Sequence, residues 1–344
     1  MASGDVAQPS GVLTMPILSL AEAHALAAGA FRRCGASAAA ADSTARALVA
    51  AEADGLKGHG LSRVPSYAAQ LRTGKVVGDA AVSVTHPRPG LLAIDAGHGF
   101  AYPALDAALA ELPELARRQG IAAAGIRRSH HCGAAGRPVE ALAEAGCLAI
   151  LFANTPAAMA PWGGNRAVFG TNPLAFACPL PGRAPIVIDL ALSKVARAAI
   201  VGAKQRGEAI PEGWALDAEG RPTTDPAAAL DGTMVSLGDA KGAALALMVE
   251  LLAAGLTGGR FAAEASSFLD AAGDPPGTGQ LILAIDATAL SSDAPERFAV
   301  LAGAIEDQDG ARLPGSRRLD LRSRAARDGL TVPDALAAEI AALG

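Results

Sequence analysis

Two of the six histidines are adjacent, His130 and His131, in the run Ser-His-His-Cys-Gly at a predicted strand-to-loop junction. Imidazole is the side chain that titrates nearest neutrality, so the pair suits proton transfer as well as it suits a hydrogen-bonded loop. His59 stands between Gly58 and Gly60, where a permissive backbone lets a ring approach a ligand closely. Arg63 follows four positions later and shares its face if a helix begins there, although a turn with a solvated arginine would read the same way. Asp189 ends the apolar run Ile186-Val187-Ile188. A carboxylate at the carboxyl end of a buried strand can orient a catalytic base or cap a helix. Thr171 offers a hydroxyl in the turn Gly170-Thr171-Asn172-Pro173, and the run Gly238 to Gly242, with Lys241, leads into a helix whose first amides could hold phosphate. An ordinary turn and an ordinary cap are the simpler readings of these two. The dinucleotide fingerprint G-x-G-x-x-G and the P-loop are both absent, and neither HExxH nor a close ligand cluster suggests a metal.

The elements that must carry these residues alternate between helical and strand periodicity, which predicts a mixed α/β chain. Apolar spacing over Ile17 to Val49 predicts two helices, with Ser19 and Glu22 as a capping box and Gly35 closing the first. Gly55 to Gly60 interrupts a pattern that resumes over Ser66 to Leu71. His86 to Gly90 reads as a turn, and Leu91 to Asp95 as a strand. Helices are predicted over Leu105 to Gln119, Ala135 to Glu144, Lys241 to Ala254 and Ala294 to Glu306. Strands are predicted over Ile121 to Ile126, Leu148 to Ala153, Ala175 to Ala177, Ile186 to Leu190 and Gln280 to Asp286. Arg312 to Arg327 is a basic stretch punctuated by Pro and Gly.

At 344 residues and 51% hydrophobic, with 18% charged, the chain can bury more than one core and does not have the composition of a disordered protein. A net charge of −5 argues against nucleic acid as a partner. No apolar run reaches the roughly 20 residues of a membrane span, and the polar start, Met1 to Ser10, lacks a signal-peptide pattern, so a cytoplasmic location is expected. The four cysteines form no close pair and are expected to be reduced, mostly buried thiols.

Six ordered segments together resemble the malate/L-lactate dehydrogenase type 2 family: DGLKGHGLSRVPSY from Asp54, SHHCGAAG from Ser129, FGTNPLAFA from Phe169, IVIDLALS from Ile186, GDAKGAALALMVELLAAGLTGG from Gly238 and LPGSRR from Leu313. The resemblance implies a non-Rossmann nicotinamide-binding fold with a largely antiparallel central sheet, a helical N-terminal region and an intertwined homodimer. It implies a helical, dimerising and substrate-side region over 1–75 plus 287–344, and an NADPH-binding and catalytic region over 76–286. Within the family, the His130-His131 pair and the long apolar segment look most like the delta-1-piperideine-2-carboxylate and delta-1-pyrroline-2-carboxylate reductases. That likeness implies hydride delivery from NADPH, with NADH weaker, to a cyclic imine carboxylate, giving L-pipecolate or L-proline. The alternative is a malate-, lactate- or ureidoglycolate-type dehydrogenase acting on a 2-oxo acid.

The implied roles are residue by residue. Arg63 would hold the substrate carboxylate as a bidentate fork, His59 would donate the proton, and Asp189 would orient that imidazole and raise its pKa. His131 and Thr171 would line the substrate pocket, with Met159 and Trp162 adding apolar surface. The cofactor would meet His130, Asp189, Leu190, Ala191, Lys241, Gly242, Gly315 and Arg317. Three positions depart from the family pattern: Gly58 replaces the usual Ser, Ala240 a common His, and Ser316 a frequent Glu. The last leaves Arg317 and Arg318 uncompensated, which favours a 2′-phosphate.

Overall fold

The computed structural model describes residues 16–344, so the expectation for Met1 to Ser10 lies outside the described residues. A short strand β1 (Ile17–Leu18) precedes the helices α1 (Leu20–Arg33) and α2 (Ala38–Ala53). Ser19 accepts from the Glu22 backbone while the Glu22 carboxylate accepts from Ser19, the capping box expected from the sequence. Two single turns of 3-10 helix carry Lys57–His59 and Leu61–Arg63, and the chain then enters α3 (Val64–Arg72), with Pro65 in its first turn. This start places His59 and Arg63 just before α3 and Tyr67 and Gln70 inside it.

The central sheet begins with β2 (Ser83–Arg88) and β3 (Leu91–Asp95), followed by α4 (Ala101–Gln119), β4 (Ile121–Ser129), α5 (Gly136–Glu144), β5 (Cys147–Ala153), β6 (Leu174–Leu180) and β7 (Arg183–Leu190). A smaller unit follows, with α6 (Arg197–Arg206), β8 (Ala215–Leu216), β9 (Pro222–Thr223), α7 (Pro226–Asp231) and β10 (Thr233–Met234). The chain closes with α8 (Ala240–Glu250), β11 (Thr278–Asp286), α9 (Ala294–Glu306), α10 (Ser316–Asp328), β12 (Leu330–Thr331) and α11 (Asp334–Ala342). The seven-stranded sheet runs β2-β3-β4-β11-β5-β6-β7, and only β3 and β4 pair in parallel. The largely antiparallel sheet anticipated above is therefore present.

Alanine-rich helices pack closely on one face of this sheet, where Phe31, Leu48, Tyr67, Phe100, Leu112, Ile126 and Leu151 form the main core. The other face joins Met159, Ile200, Ala215 and Met234 of the smaller unit to Ala246, Val249 and Ala253. All four cysteines are free and buried, as expected.

Several sequence expectations need correction. His86 to Gly90 is not all turn, because β2 runs through His86 and tolerates Pro87 as an edge strand whose proline need not donate. The helix expected from Leu105 starts at Ala101, and β4 continues three residues beyond Ile126 to Ser129. The helix expected over Lys241 to Ala254 changes to π-helical geometry at Leu251–Gly255, where the backbone of Gly279 presses so close that a Cβ there would meet the Ala253 carbonyl. The basic stretch contains α10, hidden from periodicity because it buries only Ala325.

Candidate active site

Arg63, Tyr67 and Gln70 follow one another at helical spacing, and their side chains lead to the two histidines after β4. Tyr67 Oη lies 2.6 Å from His131 Nδ1 and 3.4 Å from Tyr102 Oη. His130 Nε2 lies 2.7 Å from Gln70 Oε1. The His59 ring stacks on His131, with centroids 5.2 Å apart and planes 18° from parallel. Tyr67, Phe100 and Phe268 surround the imidazoles at centroid distances of 5.0 to 6.3 Å. Arg63 spends its Nε on the Gly58 carbonyl at 2.6 Å, and no hydrogen bond among the described residues engages its two outer nitrogens. A guanidinium fork is thus left beside a neutral aromatic pocket.

The rings are neutral for a physical reason. Burial first, then the charge of Arg63, pushes His59 down to about 4. Burial and then Lys75 push His130 down to about 3, and His131 is held well below the ordinary value by burial, Arg63 and its neighbouring histidines. Tyr67 is pushed up to about 12 by burial and stays a hydroxyl.

A loop covers this cluster from the other side. Gln70 Nε2 donates to the carbonyls of Phe268 and Asp270, Thr73 to Ala271, and the fully buried Lys75 ammonium to Asp270 and to Ala272 at 2.6 Å. These bonds fix Phe268 against both imidazoles.

A second group lies along the end of β7. Leu192 donates to the Thr171 carbonyl, Leu237 to the Leu192 carbonyl, and Ser193 bridges to Ser236, so Thr171, Leu190 and Ala191 run beside the start of α8 with Lys241 and Gly242. Gly242 has a packing reason of its own, because a Cβ would run into the Leu237 carbonyl. Asp189 stands at the exposed end of β7, yet its carboxylate is hemmed in. Oδ2 accepts from the Gly136 amide at 2.8 Å, and a Cβ on Gly136 would meet both Asp189 and Arg318. This crowding raises the Asp189 pKa, against the opposing effects of the Gly136 bond and Arg318. Gly315, in the left-handed region, sits where a Cβ would press on both Arg318 and the Val187 carbonyl, and Arg318 Nη1 is buried without a partner among the described residues.

The expected residues therefore fall into two neighbouring clusters. His59, Arg63 and His131 lie together, while Asp189 sits by Gly136 and Arg318, and Leu190, Ala191 and Gly242 lie along the end of β7 and the start of α8. No hydrogen bond joins His59 to Asp189, His59 Nδ1 is enclosed without a partner among the described residues, and burial and then Arg63 lower the imidazole pKa where a raised one was expected. His130 points inward to Gln70. Arg317 is exposed, whereas the guanidinium of its neighbour Arg318 lies beside Gly136 and Asp189. Met159 belongs to the second core and Trp162 is 64% exposed, so neither lines the histidine pocket. Gly58 has nothing within reach of a Cβ, so the serine hydroxyl is missing there without being sterically excluded.

Sequence reasoning assigned no role to Tyr67, Gln70, Lys75 or Phe268. The first two were detectable from their spacing after Arg63, whereas the last two depend on long-range packing. It also missed the buried Glu250, whose carboxylate accepts from Asn154 at 3.1 Å and Asn172 at 2.7 Å and ties α8 to the ends of β5 and β6.

A sequence profile of the malate/L-lactate dehydrogenase family matches residues 18–341. The chain is 52% identical over 326 residues to a (2R)-3-sulfolactate dehydrogenase (NADP(+)) of Chromohalobacter salexigens, covering 95% of this chain and 97% of that one. It is 43% identical over 331 residues to a Delta(1)-pyrroline-2-carboxylate/Delta(1)-piperideine-2-carboxylate reductase of Pseudomonas aeruginosa, covering 95% and 98%. The crystal structure of delta1-piperideine-2-carboxylate reductase from Pseudomonas syringae pvar. tomato superposes with a TM-score of 0.87 at 36% identity, over 96% of this chain and all of that one.

Proposed function

The chain belongs to the malate/L-lactate dehydrogenase family, and from that premise we propose that it is an NADPH-dependent reductase of a cyclic imine carboxylate, forming L-proline or L-pipecolate. The observation that carries this reading is the Arg63 guanidinium, whose outer nitrogens have no partner among the described residues, opening onto neutral imidazole and phenyl rings. One carboxylate and a ring of methylenes match such a pocket; a second anionic group does not. The relative named as a sulfolactate dehydrogenase favours a second reading, a 2-oxo acid reductase whose substrate carries a sulfonate.

The cleft beside Asp189 fits a nicotinamide dinucleotide. Gly136 and Gly315 sit where a Cβ would close the approach, and the unpartnered Arg318 Nη1 is a buried donor suited to a phosphate or amide oxygen. Asp189, Leu190, Ala191, Lys241, Gly242, Gly315 and Arg318 would hold the cofactor, with exposed Arg317 favouring NADPH over NADH through added positive charge. The cofactor supplies the hydride when bound.

The chain's own residues do the rest. Arg63 grips the carboxylate with its outer nitrogens and so aims the adjacent C=N carbon toward the cleft. His59 holds the proton that the substrate nitrogen takes as the carbon gains hydride. Burial depresses this imidazole first and the Arg63 charge second, and the substrate carboxylate offsets the second of these, which makes protonation easier once substrate is bound. The exposed apolar residues of α8 support a homodimer. The arginine anchor is tested by Arg63→Lys, which keeps the charge and loses the fork. KM for the imine acid should rise roughly tenfold or more while NADPH affinity holds. An unchanged KM would remove Arg63 from the site.

A further inference from the structure

The adjacent histidines differ in what their ring nitrogens can offer, and the difference follows from where each hydrogen must go. Gln70 donates to the Phe268 carbonyl at 2.9 Å and the Asp270 carbonyl at 3.0 Å, so its Oε1 accepts and His130 Nε2 must carry the proton that bridges them at 2.7 Å. His130 spends that proton inside the protein, and its Nδ1 is a bare, enclosed acceptor.

His131 has a different partner. Its Nδ1 lies 2.6 Å from Tyr67 Oη, which lies 3.4 Å from Tyr102 Oη. If His131 Nδ1 were the donor, Tyr67 would donate to Tyr102, and the Tyr102 hydrogen would have no acceptor among the described residues. If Tyr102 donates to Tyr67 and Tyr67 to His131 Nδ1, both hydroxyl hydrogens are used. A buried donor left without an acceptor keeps its full desolvation penalty, which favours the second arrangement. Burial raises the pKa of both tyrosines, so both keep their hydrogens to give. The ring proton of His131 then sits on Nε2, which makes no hydrogen bond among the described residues and is not fully enclosed.

We propose that Tyr67, backed by Tyr102, is a positioning residue that holds His131 with its proton on Nε2, directed into the pocket shared with His59 and Arg63. The functional consequence rests on the reductive reading above. There the Nε2–H donates a hydrogen bond to the substrate nitrogen, or oxygen in an oxo acid, while His59 supplies the transferred proton.

The test is a two-bond proton–nitrogen correlation spectrum of the nitrogen-15-labelled full chain, compared with Tyr67→Phe, with His131→Gln identifying the signals. Wild-type His131 should show a protonated Nε2 and an Nδ1 that accepts a hydrogen bond. In Tyr67→Phe, Nδ1 should lose that bond and the proton should redistribute between the nitrogens. In steady-state assays the same variant should lose about tenfold or more in kcat with KM within about threefold, the pattern of a group acting on the transition state. A wild-type proton on Nδ1, or a spectrum and kcat that Tyr67→Phe leaves unchanged, would overturn the inference. Because the spectrum needs no turnover, a protein that reduces no imine or oxo acid but shows the expected His131 pattern would remove the function and leave the positioning role standing.

Discussion

At the residue scale, three imidazoles share one cluster and none has a carboxylate partner there, which makes the site sensitive to acid. His59 at about 4 and His130 at about 3 both lie below the ordinary value of 6.5. Between those limits the unfolded chain binds more protons than the folded one, so their contribution to stability is complete above 6.5 and is lost as pH falls toward 4. The raised pKa values of Asp189 and Glu250 act in the opposite sense, because these folded carboxyls take up protons more readily than unfolded ones. Their window opens at 3.8 and 4.5 and runs upward from there, against the two histidines whose window closes at 6.5. The thermal unfolding midpoint should therefore drop between pH 7 and pH 5. A midpoint that stays level or rises across that range would mean the histidines are not held neutral. The histidines themselves were legible in the sequence, since His59, His130 and His131 sit in short glycine-bounded runs. Their protonation was not, because it depends on enclosure by Phe268, 137 positions beyond His131, and on a carboxylate, Asp189, that is turned toward Gly136 instead of His59.

At the element scale, α8 is apolar on more sides than its own fold can cover. Ala246 and Val249 enter the second core, while Leu245, Leu247 and Met248, and Leu251 in the turn that follows, stay substantially exposed. A helix that is apolar all round is one that is buried in its working state. A second copy of the chain is the occupant proposed here, in keeping with the dimer that the resemblance implies. Leu251→Glu should leave a folded chain that sediments as a monomer where the unaltered protein sediments as a dimer; a dimer that survives would place the contact elsewhere. The helix was read from its apolar run, and α9 from its full span, because both have long patterns. α10 was missed for the opposite reason: its buried contribution is almost nothing, and its arginines are recruited by partners far away in sequence. Arg322, for example, bonds Asp54 at 2.8 Å and Glu140 at 2.8 Å.

At the scale of the whole molecule, the largely antiparallel sheet carries the histidine cluster at the end of β4 and Asp189 at the end of β7, and the reading proposed above puts the substrate at the first and the cofactor at the second. The most direct measurement follows NADPH consumption with pyrroline-2-carboxylate, piperideine-2-carboxylate, 3-sulfopyruvate, pyruvate and oxaloacetate, and repeats each with NADH. The cyclic imines should give the highest kcat/KM, with NADPH ahead of NADH. A higher kcat/KM for 3-sulfopyruvate, or equal activity with NADH and oxaloacetate, would contradict the account and move the chain to the hydroxy-acid dehydrogenases of its family.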